Sequence, residues 1–320
     1  MTNIALIIPY YGSFPNYFSL YVNSLAKNPN IHVYMFTDCF YDGFIPDNLH
    51  MVESNIEHFK SLVKSKLDVD AKINRGYKLC DFKPAYGVIF EDYITEYEYW
   101  AMGDIDVIYG DVLNNLPDGW ETYDVISMVP EWISGSFCIF KNTNKVNYLF
   151  SLSNNWENVF SAENNFAFDE CNYLYEELRQ GKNILDIDDL ESFTFIVKRE
   201  AEKGLLKIWF DENLIKEKIF RNLDHVRMLN GSLYKVNGQE IVYYHLVSEK
   251  ITDRFVIPKW GVIPDEYFIT HHGLFLPEEF WYKKISFFRI FIFLRSLFLD
   301  IKQLFKRVFN KCKSCCIKKI

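Results

Sequence analysis

Apolar residues in the first part of the chain fall into short continuous runs separated by an amphipathic stretch. Ile4–Pro9 is an apolar run that ends in proline, which is typical of a strand buried on both faces. Residues 16–27 carry apolar side chains at helical spacing and stop at an Asn-Pro-Asn sequence. Residues 32–37 form a second apolar run. This strand–helix–strand order predicts a parallel sheet covered by helices.

The remaining pattern predicts further strands and helices. Strands are predicted over residues 51–53, 97–108, 124–129 and 136–140, and helices over residues 85–93, 145–156, 168–180 and 188–203. Residues 232–245 predict a β-hairpin, because Asn237 and Gly238 suit a type I′ turn. No repeat or linker precedes about residue 275. The pattern therefore predicts one α/β domain with a mostly parallel sheet over residues 1–275, followed by a separate tail over residues 276–320.

The tail has a pattern of its own. From residue 287, apolar residues recur at helical spacing while Lys and Arg take the other sides, which predicts a basic amphipathic helix. Its longest apolar run, residues 290–294, is far shorter than the ~20 residues that span a bilayer. We expect residues 283–311 to bind an anionic membrane surface. A helix docked on the body or on a partner protein is the alternative.

Composition and charge narrow the class of protein. A chain of 320 residues, 49% apolar and 18% aromatic, can bury a large α/β core. Residues 281–320 hold 11 of the 35 Lys and Arg but only one acid, so the body before them is strongly acidic. An acidic body argues against nucleic acid as a partner. Scattered cysteines and the lack of signal-peptide features predict a cytoplasmic protein, peripheral on the inner face of the cell membrane.

The segment AMGDIDVIYGD, residues 101–111, places three aspartates in strand-like apolar chain. Carboxylates just past the carboxyl end of a strand lie at the edge of an α/β sheet where ligands bind. Two carboxylates at i and i+2 can reach one divalent cation if the strand ends in a turn there, and Mg²⁺ and Mn²⁺ prefer oxygen ligands. Asp104 and Asp106 are therefore candidate metal ligands. Turn or helix-capping aspartates are the alternative.

Three stretches carry a resemblance to a known family. IALIIPYYGSFPNYFSLYVNSLAKNPNIHVYMFTD, GYKLCDFKPAYGVIFEDYI and YWAMGDIDVIYGDV resemble, in order and spacing, a bacterial family generally described as glycosyltransferases and found among polysaccharide and lipopolysaccharide genes. The resemblance covers roughly residues 3–275. It implies a GT-A-like fold with a D-x-D motif, and metal-dependent transfer of a sugar from a nucleotide-sugar donor to a polysaccharide or lipid-linked glycan acceptor.

The same resemblance implies a metal site and a stereochemical outcome. Asp104, Asp106 and His245 would hold Mn²⁺ or Mg²⁺, and a neutral imidazole favours Mn²⁺. His245 and Lys250 resemble the H-x-x-x-x-K arrangement of retaining GT-A families, in which the lysine contacts the diphosphate. Asp111 is predicted to be structural. For His245 the alternative is an interior histidine bonded to a backbone carbonyl. Three other histidines are weaker candidates: His225, His271 and His272.

Further residues are expected to bind the donor. They are Pro9, Tyr10, Tyr11, Asp38, Tyr77, Lys78, Asp81, Lys83, Asp104, Ser134, Gly135 and Lys250. The loop after the first strand resembles the element that stacks on the base, and the lysines suit phosphates. Gly135 would let backbone N–H groups approach the donor sugar. Aromatic packing and charges on a solvated loop are the alternatives.

Asp169 and Glu170 are the candidate catalytic residues. In GT-A enzymes a carboxylate at this point, about 65 residues after the metal pair, binds sugar hydroxyls or, in inverting members, deprotonates the acceptor. Acids that favour a helix N-terminus are the alternative. For the whole chain the alternatives are a non-catalytic carbohydrate-binding or scaffold protein and, less favoured, a nucleotidyltransferase. The latter should carry a glycine-rich, arginine-bearing loop after the first strand, and this chain does not.

Overall fold

In a computed structural model the chain is a mixed α/β protein, and the structure describes residues 2–219, 224–247 and 255–281. The strands of these residues are β1 (Ile4–Pro9), β2 (Ile31–Thr37), β3 (Leu49–Glu53), β4 (Tyr99–Gly103), β5 (Val107–Tyr109), β6 (Val125–Ser127), β7 (Phe137–Lys141), β8 (Ile208–Trp209), β9 (Ile215–Lys216), β10 (His225–Leu229), β11 (Ser232–Lys235), β12 (Glu240–Ile241), β13 (Tyr243–His245), β14 (Glu266–Thr270) and β15 (Gly273–Phe275).

The α-helices of the same residues are mostly short. They are α1 (Phe18–Ala26), α2 (Ile56–Leu67), α3 (Tyr86–Ile89), α4 (Glu91–Ile94), α5 (Asn144–Asn147), α6 (Trp156–Ser161), α7 (Tyr175–Arg179), α8 (Ile184–Ile187), α9 (Phe193–Glu202) and α10 (Pro277–Trp281). Four 3₁₀-helices lie among them: η1 (Gly76–Ala85), η2 (Leu113–Asn115), η3 (Trp120–Thr122) and η4 (Leu149–Leu152). Within the described ranges, none of the helices has the length and apolar character needed to cross a membrane.

The chain divides into two compact units. The first comprises Met1–Ile215 and Ile241–His245, and the second comprises Lys216–Glu240 and Leu246–Ile320. The boundary predicted at residue 275 stays a prediction, because most of residues 276–320 lie outside the described residues. The same holds for the basic helix predicted from residue 287 and for Lys250.

The first unit is built on a seven-stranded sheet with the order β3–β2–β1–β4–β7–β6–β8. Strands β1, β2, β3 and β4 run parallel, as do β6 and β8, whereas β7 is antiparallel to both β4 and β6. The prediction of a mostly parallel sheet is confirmed. Strand β1 lies between β2 and β4, so the order in which successive strands are added to the sheet reverses between β1 and β4. Open α/β sheets bind ligands at the carboxyl ends of strands at such a point.

Both faces of this sheet are covered, as the continuous apolar strands predict. Leu6 belongs to a buried cluster that includes Tyr21 of α1. The next residue, Ile7, belongs to a second buried cluster, which includes Phe59 of α2 and Tyr86 of α3. Successive residues of a strand point to opposite faces, so a strand between two cores must be apolar at every position.

The helix predictions succeed where apolar spacing is long and regular, and fail elsewhere. Residues 16–27 and 188–203 contain α1 and α9, and the helix predicted over residues 85–93 is divided into α3 and α4 at Phe90. The helices predicted over residues 145–156 and 168–180 are wrong. The first is replaced by α5 and η4, and only α7 forms in the second. In the second, the carbonyls of Phe168 and Glu170 accept the N–H groups of Phe193 and Thr194 at 2.8 and 3.1 Å, and these tertiary bonds replace helical ones.

The second unit contains a five-stranded sheet of order β12–β11–β10–β14–β15. Strand β10 is antiparallel to both β11 and β14, and β14 is antiparallel to β15. The predicted turn lies between β11 and β12, where Gly238 has a φ of 83° and the N–H of Lys235 bonds the carbonyl of Gln239 at 2.8 Å. The hairpin prediction is wrong beyond Ile241, because β13 pairs with β5 in a three-stranded sheet, β5–β13–β9.

Candidate metal centre

The D-x-D segment lies where the chain leaves one sheet for another. The strand predicted over residues 97–108 is in fact two strands, since β4 ends in the seven-stranded sheet and β5 begins in the three-stranded one. The N–H of Asp104 still bonds the carbonyl of Ser136 at 3.2 Å, beside the last pair of β4 and β7. Ile105 turns into the core and is buried. The break thus supplies the turn that a shared cation requires of Asp104 and Asp106.

Strand β13 brings His245 to these aspartates. It pairs antiparallel with β5 so that His245 lies opposite Val107, the residue that follows Asp106. The His245 Nε2 atom is 3.3 Å from Asp106 Oδ2. One possible ligand atom from each of Asp104, Asp106 and His245 lies within 4.8 Å of the others. The three residues that the sequence named as metal ligands therefore do come together, all within the first unit.

Burial differs among the three side chains. The residues Asp106 and His245 are 4% and 9% exposed, whereas the side chain of Asp104 is 32% exposed. Asp106 also affects Tyr10 in the neighbouring loop. The pKa of Tyr10 is raised mainly by burial, then by the charge of Cys39 and then by that of Asp106. A cation held by this group would therefore have two ligands in the protein interior and one at its surface.

Lys83 of η1 connects Asp104 to a second pair of acids. Its ammonium donates to Asp104 Oδ1 at 2.7 Å and to the carbonyl of Gly135 at 2.8 Å, and lies 3.7 Å from Asp169 Oδ2. Burial alone would lower the pKa of Lys83, but Asp104, Cys80 and Asp169 together raise it well above its usual value. Lys83 is therefore a fixed positive charge beside the candidate ligand Asp104.

Gly135 lies between this lysine and Glu170. Its N–H donates to Glu170 Oε1 at 2.9 Å, and the hydroxyl of Tyr175 donates to Glu170 Oε2. A Cβ atom on Gly135 would stand 2.5 Å from Asp169 Oδ2, so no larger residue fits without a shift. Gly135 thus allows the protein's own carboxylates to come close. The predicted approach of a donor sugar to this glycine stays a prediction.

Asp169 and Glu170 lie in an irregular segment. The alternative that they begin a helix is wrong, because α7 starts at Tyr175. Ala167 and Asn172 have φ values of 50° and 52°, in the left-handed region that costs energy for residues other than glycine. Burial raises the pKa of Asp169 well above its usual value, against a lowering by Lys83. Burial also raises the pKa of Glu170, although its hydrogen bonds from Tyr175 and Gly135 act in the opposite direction.

A buried hydroxyl network ties the Gly135 turn to β13. The Tyr243 hydroxyl is 2.6 Å from the hydroxyls of both Ser134 and Ser136, which are 3.0 Å apart. Ser134 is only 2% exposed. Its hydroxyl therefore has a structural role and does not face a cleft where a donor sugar could bind. Sequence reasoning missed Tyr243, although a strand with His245 on one face must carry Tyr243 on the same face.

Lys78 and Asp81 do not line a cleft, contrary to the donor-binding hypothesis. The Lys78 ammonium bonds Asp81 Oδ2 at 2.8 Å and the carbonyls of Val159 and Asn164 at 2.5 and 2.8 Å. The Asp81 carboxylate also accepts the N–H groups of Phe166 and Phe168. With side chains 1% and 0% exposed, the pair is a structural anchor for the segment that carries Asp169 and Glu170.

The loop after β1 reaches the expected edge of the sheet. The N–H of Tyr10 bonds the carbonyl of Phe36 at 2.9 Å, so the loop that begins after Pro9 continues beside β2. Asp38, just past β2, accepts the N–H of Gly12 at 2.7 Å, and Gly12 has a φ of 109° that suits glycine. Tyr10 stacks on Phe14, and the Tyr11 hydroxyl is 3.3 Å from that of Ser54. Base stacking by this loop stays a prediction.

The remaining candidates are spread more widely. Tyr77 is 67% exposed, and its carbonyl accepts a hydrogen bond from Asn165. Asp111 is structural, as predicted, because its carboxylate accepts the Asn114 side-chain amide at 2.8 Å. The weaker histidine candidates belong to the second unit, where the His225 ring packs on Phe268 and Phe280, and the rings of His271 and His272 lie 5.2 Å apart.

The fold and site together define the class: a mixed α/β protein with an Asp-Asp-His group that could hold a metal ion, at the carboxyl edge of its main sheet. The chain belongs to DUF6625, a family of unknown function, which it matches over residues 6–276. No curated protein matches it. The family description names no activity for the chain.

Proposed function

We propose that this protein is a metal-dependent glycosyltransferase of GT-A type, which moves a sugar from a nucleotide-sugar donor to a polysaccharide or lipid-linked glycan acceptor. One observation carries the proposal: a possible ligand atom from each of Asp104, Asp106 and His245 lies within 4.8 Å of the others. The group lies after β4, where the strand order reverses between β1 and β4. That position is where α/β sheets bind nucleotides. The resemblance of three sequence stretches to bacterial glycosyltransferases supports the same class.

The donor set of the group fits a divalent cation. Asp104 and Asp106 offer oxygen atoms of the kind that Mg²⁺ and Mn²⁺ prefer, and the imidazole of His245 makes Mn²⁺ the better match. When bound, such a cation supplies positive charge that stabilises a leaving diphosphate. The ammonium of Lys83, fixed 2.7 Å from Asp104, holds that carboxylate in one orientation before any ligand arrives.

The acids on the other side of Lys83 suit the sugar. Asp169 is buried within 3.7 Å of the Lys83 ammonium, and Glu170 is fixed by Gly135 and Tyr175. Carboxyl groups held in this way bind sugar hydroxyls or, if transfer inverts the anomeric centre, take the proton of the acceptor. We favour retention because His245 lies beside Asp104 and Asp106, and a histidine in this role is typical of the retaining families that the sequence resembles. Lys250, the other part of that argument, lies outside the described residues.

The acceptor and the cellular place follow from the same proposal. A polysaccharide or lipid-linked glycan is assembled at the cytoplasmic face of the membrane, where the basic stretch 283–311 would bind anionic lipid. That stretch lies outside the described residues, so binding of the membrane is argued from its sequence alone.

The decisive experiment is a screen of UDP- and GDP-sugars for hydrolysis with Mn²⁺, with Mg²⁺ and with EDTA. We expect at least one donor to be hydrolysed only with metal. Asp106→Asn should lower that rate by about 100-fold or more, since charge stabilisation by a metal is worth several kcal/mol. Asp111→Asn is the matched control, because it changes an aspartate of the same segment that only bonds Asn114.

Two outcomes would contradict the proposal. Wild-type turnover by Asp106→Asn would remove the metal role. Donor binding that is indifferent to metal, with no turnover of any donor or transfer to any acceptor, would favour a non-catalytic carbohydrate-binding protein.

A further inference from the structure

A cavity lies in the first unit, away from the group formed by Asp104, Asp106 and His245. Its volume is about 460 Å³, within the roughly 300–1,000 Å³ of small-molecule sites. Seven residues line it: Asn3, Tyr34, Asp92, Tyr93, Thr95, Glu96 and Tyr97. None of the residues that the proposed transferase reaction uses is among them.

The cavity lies at the amino-end edge of the sheet. Asn3 directly precedes β1, and Tyr97 precedes β4, which runs parallel to it. Asp104 follows the carboxyl end of β4. Strand β1 has six residues, so at ~3.3 Å per residue the two edges are about 20 Å apart. One small ligand cannot occupy both places.

The wall of the cavity is an ordered group of phenol rings. The Tyr34 ring packs edge-on against Tyr97, with centroids 6.0 Å apart, and against Tyr93, with centroids 5.9 Å apart. The hydroxyl of Tyr97 is 3.1 Å from that of Tyr34 and 2.8 Å from His32 Nδ1. Rings and hydroxyls are therefore fixed before a ligand binds, which lowers the entropic cost of binding.

The charges of the lining disfavour an anionic ligand. Asp92 and Glu96 contribute carboxylates, while Lys and Arg are absent from the lining. Asp92 is held by Lys66 at 2.9 Å, and Glu96 is exposed. Phosphates and nucleotides would meet negative charge here. Carboxylate and phenol oxygens accept hydrogen bonds from hydroxyl groups, and phenol rings bury the apolar face of a sugar.

A cationic ligand fits the lining less well than a sugar. Aromatic rings recognise quaternary ammonium groups by forming a cage around the cation, whereas one aromatic surface with hydrogen-bond acceptors is enough for a sugar. In this wall the three rings pack edge against face on one another, with interplanar angles of 61° and 87°, so that Tyr34 contacts Tyr93 and Tyr97 directly. The rings line one side of an open cavity and do not surround a point.

We propose that this cavity is a second saccharide site, which binds uncharged sugar units of a glycan far from the metal group. Its role as a hold on the acceptor rests on the proposed transferase function. A glycan of several sugar units could lie across the unit, with one end in the cavity and the other at the carboxyl edge of the sheet. The cavity would then select long acceptors over short ones.

The test is binding of the full chain to an array of neutral oligosaccharides and bacterial surface polysaccharides in EDTA, which removes metal from the other site. We expect at least one uncharged glycan to bind. Glu96→Ala should weaken that binding about tenfold, the worth of a hydrogen bond to a charged group. Glu98→Ala is the matched control, because Glu98 is exposed but does not line the cavity. Tyr93→Ala should abolish binding. Tyr148→Ala is its control, because Tyr148 is an exposed tyrosine outside the lining.

Several outcomes would overturn the second site. They are no glycan bound by the wild-type chain, equal binding by Glu96→Ala and Tyr93→Ala, or binding of tetramethylammonium in place of any glycan. Asp106→Asn should bind glycan as the wild type does. If no nucleotide sugar is hydrolysed but a glycan binds, the result counts against the transferase alone. If a nucleotide sugar is hydrolysed but no glycan binds, the result counts against the second site alone.

Discussion

Two lysine–aspartate pairs start from the same 3₁₀-helix, η1, and have different roles. Lys78 pairs with Asp81, and both side chains are sealed from solvent. Lys83, five residues on, pairs with Asp104, whose side chain is 32% exposed. The first pair bonds backbone groups of a distant segment, and the second touches side chains of the candidate metal centre. The same residue types thus anchor one part of the chain and orient a candidate metal ligand, Asp104, in another.

The difference lies in how completely each pair is satisfied. The Lys78 ammonium has three acceptors, one of them charged, and the Asp81 carboxylate accepts backbone N–H groups as well. Nothing in that arrangement is left for a ligand. Asp104 retains contact with water and lies within reach of Asp106 and His245. A charged pair suits a binding site when part of it still faces solvent.

The largest effect should come from removing the sealed lysine. Lys78→Met would leave the Asp81 carboxylate buried without its counter-ion, so we expect the free energy of unfolding to fall by about 3–5 kcal/mol. Urea denaturation measures it. Lys64→Met, which removes an exposed lysine paired with Asp68 and Asp70, should cause no measurable change. An Lys78→Met midpoint equal to that of the wild type would mean that the first pair is not an anchor.

Metal should stabilise the other region by a somewhat smaller amount. At a Mn²⁺ concentration 100 times its Kd, binding to the folded chain adds about 2.7 kcal/mol of stability. Thermal unfolding with and without Mn²⁺ measures the shift. Asp111→Asn should keep the shift and Asp106→Asn should lose it. A shift that survives in Asp106→Asn would place the metal elsewhere.

The smallest loss of stability is expected for Lys83→Met, at about 1–3 kcal/mol. Asp104 remains partly hydrated, so loss of its lysine costs less than loss of the lysine beside the fully buried Asp81. Activity should nevertheless fall 10- to 100-fold, as is usual when a residue that orients a metal ligand is lost. Measuring both quantities separates the two pairs. Equal stability losses for Lys78→Met and Lys83→Met would erase the distinction drawn between them.

The sequence predicts the main sheet well because its strands are buried on both faces. Ile4–Pro9 is apolar at every position, which is typical of a strand that is buried on both faces. The aspartates also stand out, since charge inside apolar chain requires a reason. Long-range pairing is harder: His245 reaches Asp106 only because β13 leaves the hairpin pattern and pairs with β5.

Side-chain direction is what the sequence does not reveal. Lys78 and Lys83 look alike in the segment GYKLCDFKPA, yet Lys78 faces the interior and Lys83 the candidate site. Both lysines lie in a 3₁₀-helix that is buried on more than one side, so apolar spacing does not indicate which direction each side chain takes. The helix predicted over residues 168–180 fails for a related reason, because N–H groups from far along the chain bond the carbonyls of Phe168 and Glu170.

The pairing of β5 with β13 has a consequence for how the protein is made. Asp106 leaves the ribosome well before His245, and at ~5–20 residues per second the intervening chain takes roughly 7–28 s to synthesise. During that interval the nascent chain carries two acids without their imidazole partner. The candidate metal centre is therefore complete only late in translation, after most of the first unit has been synthesised.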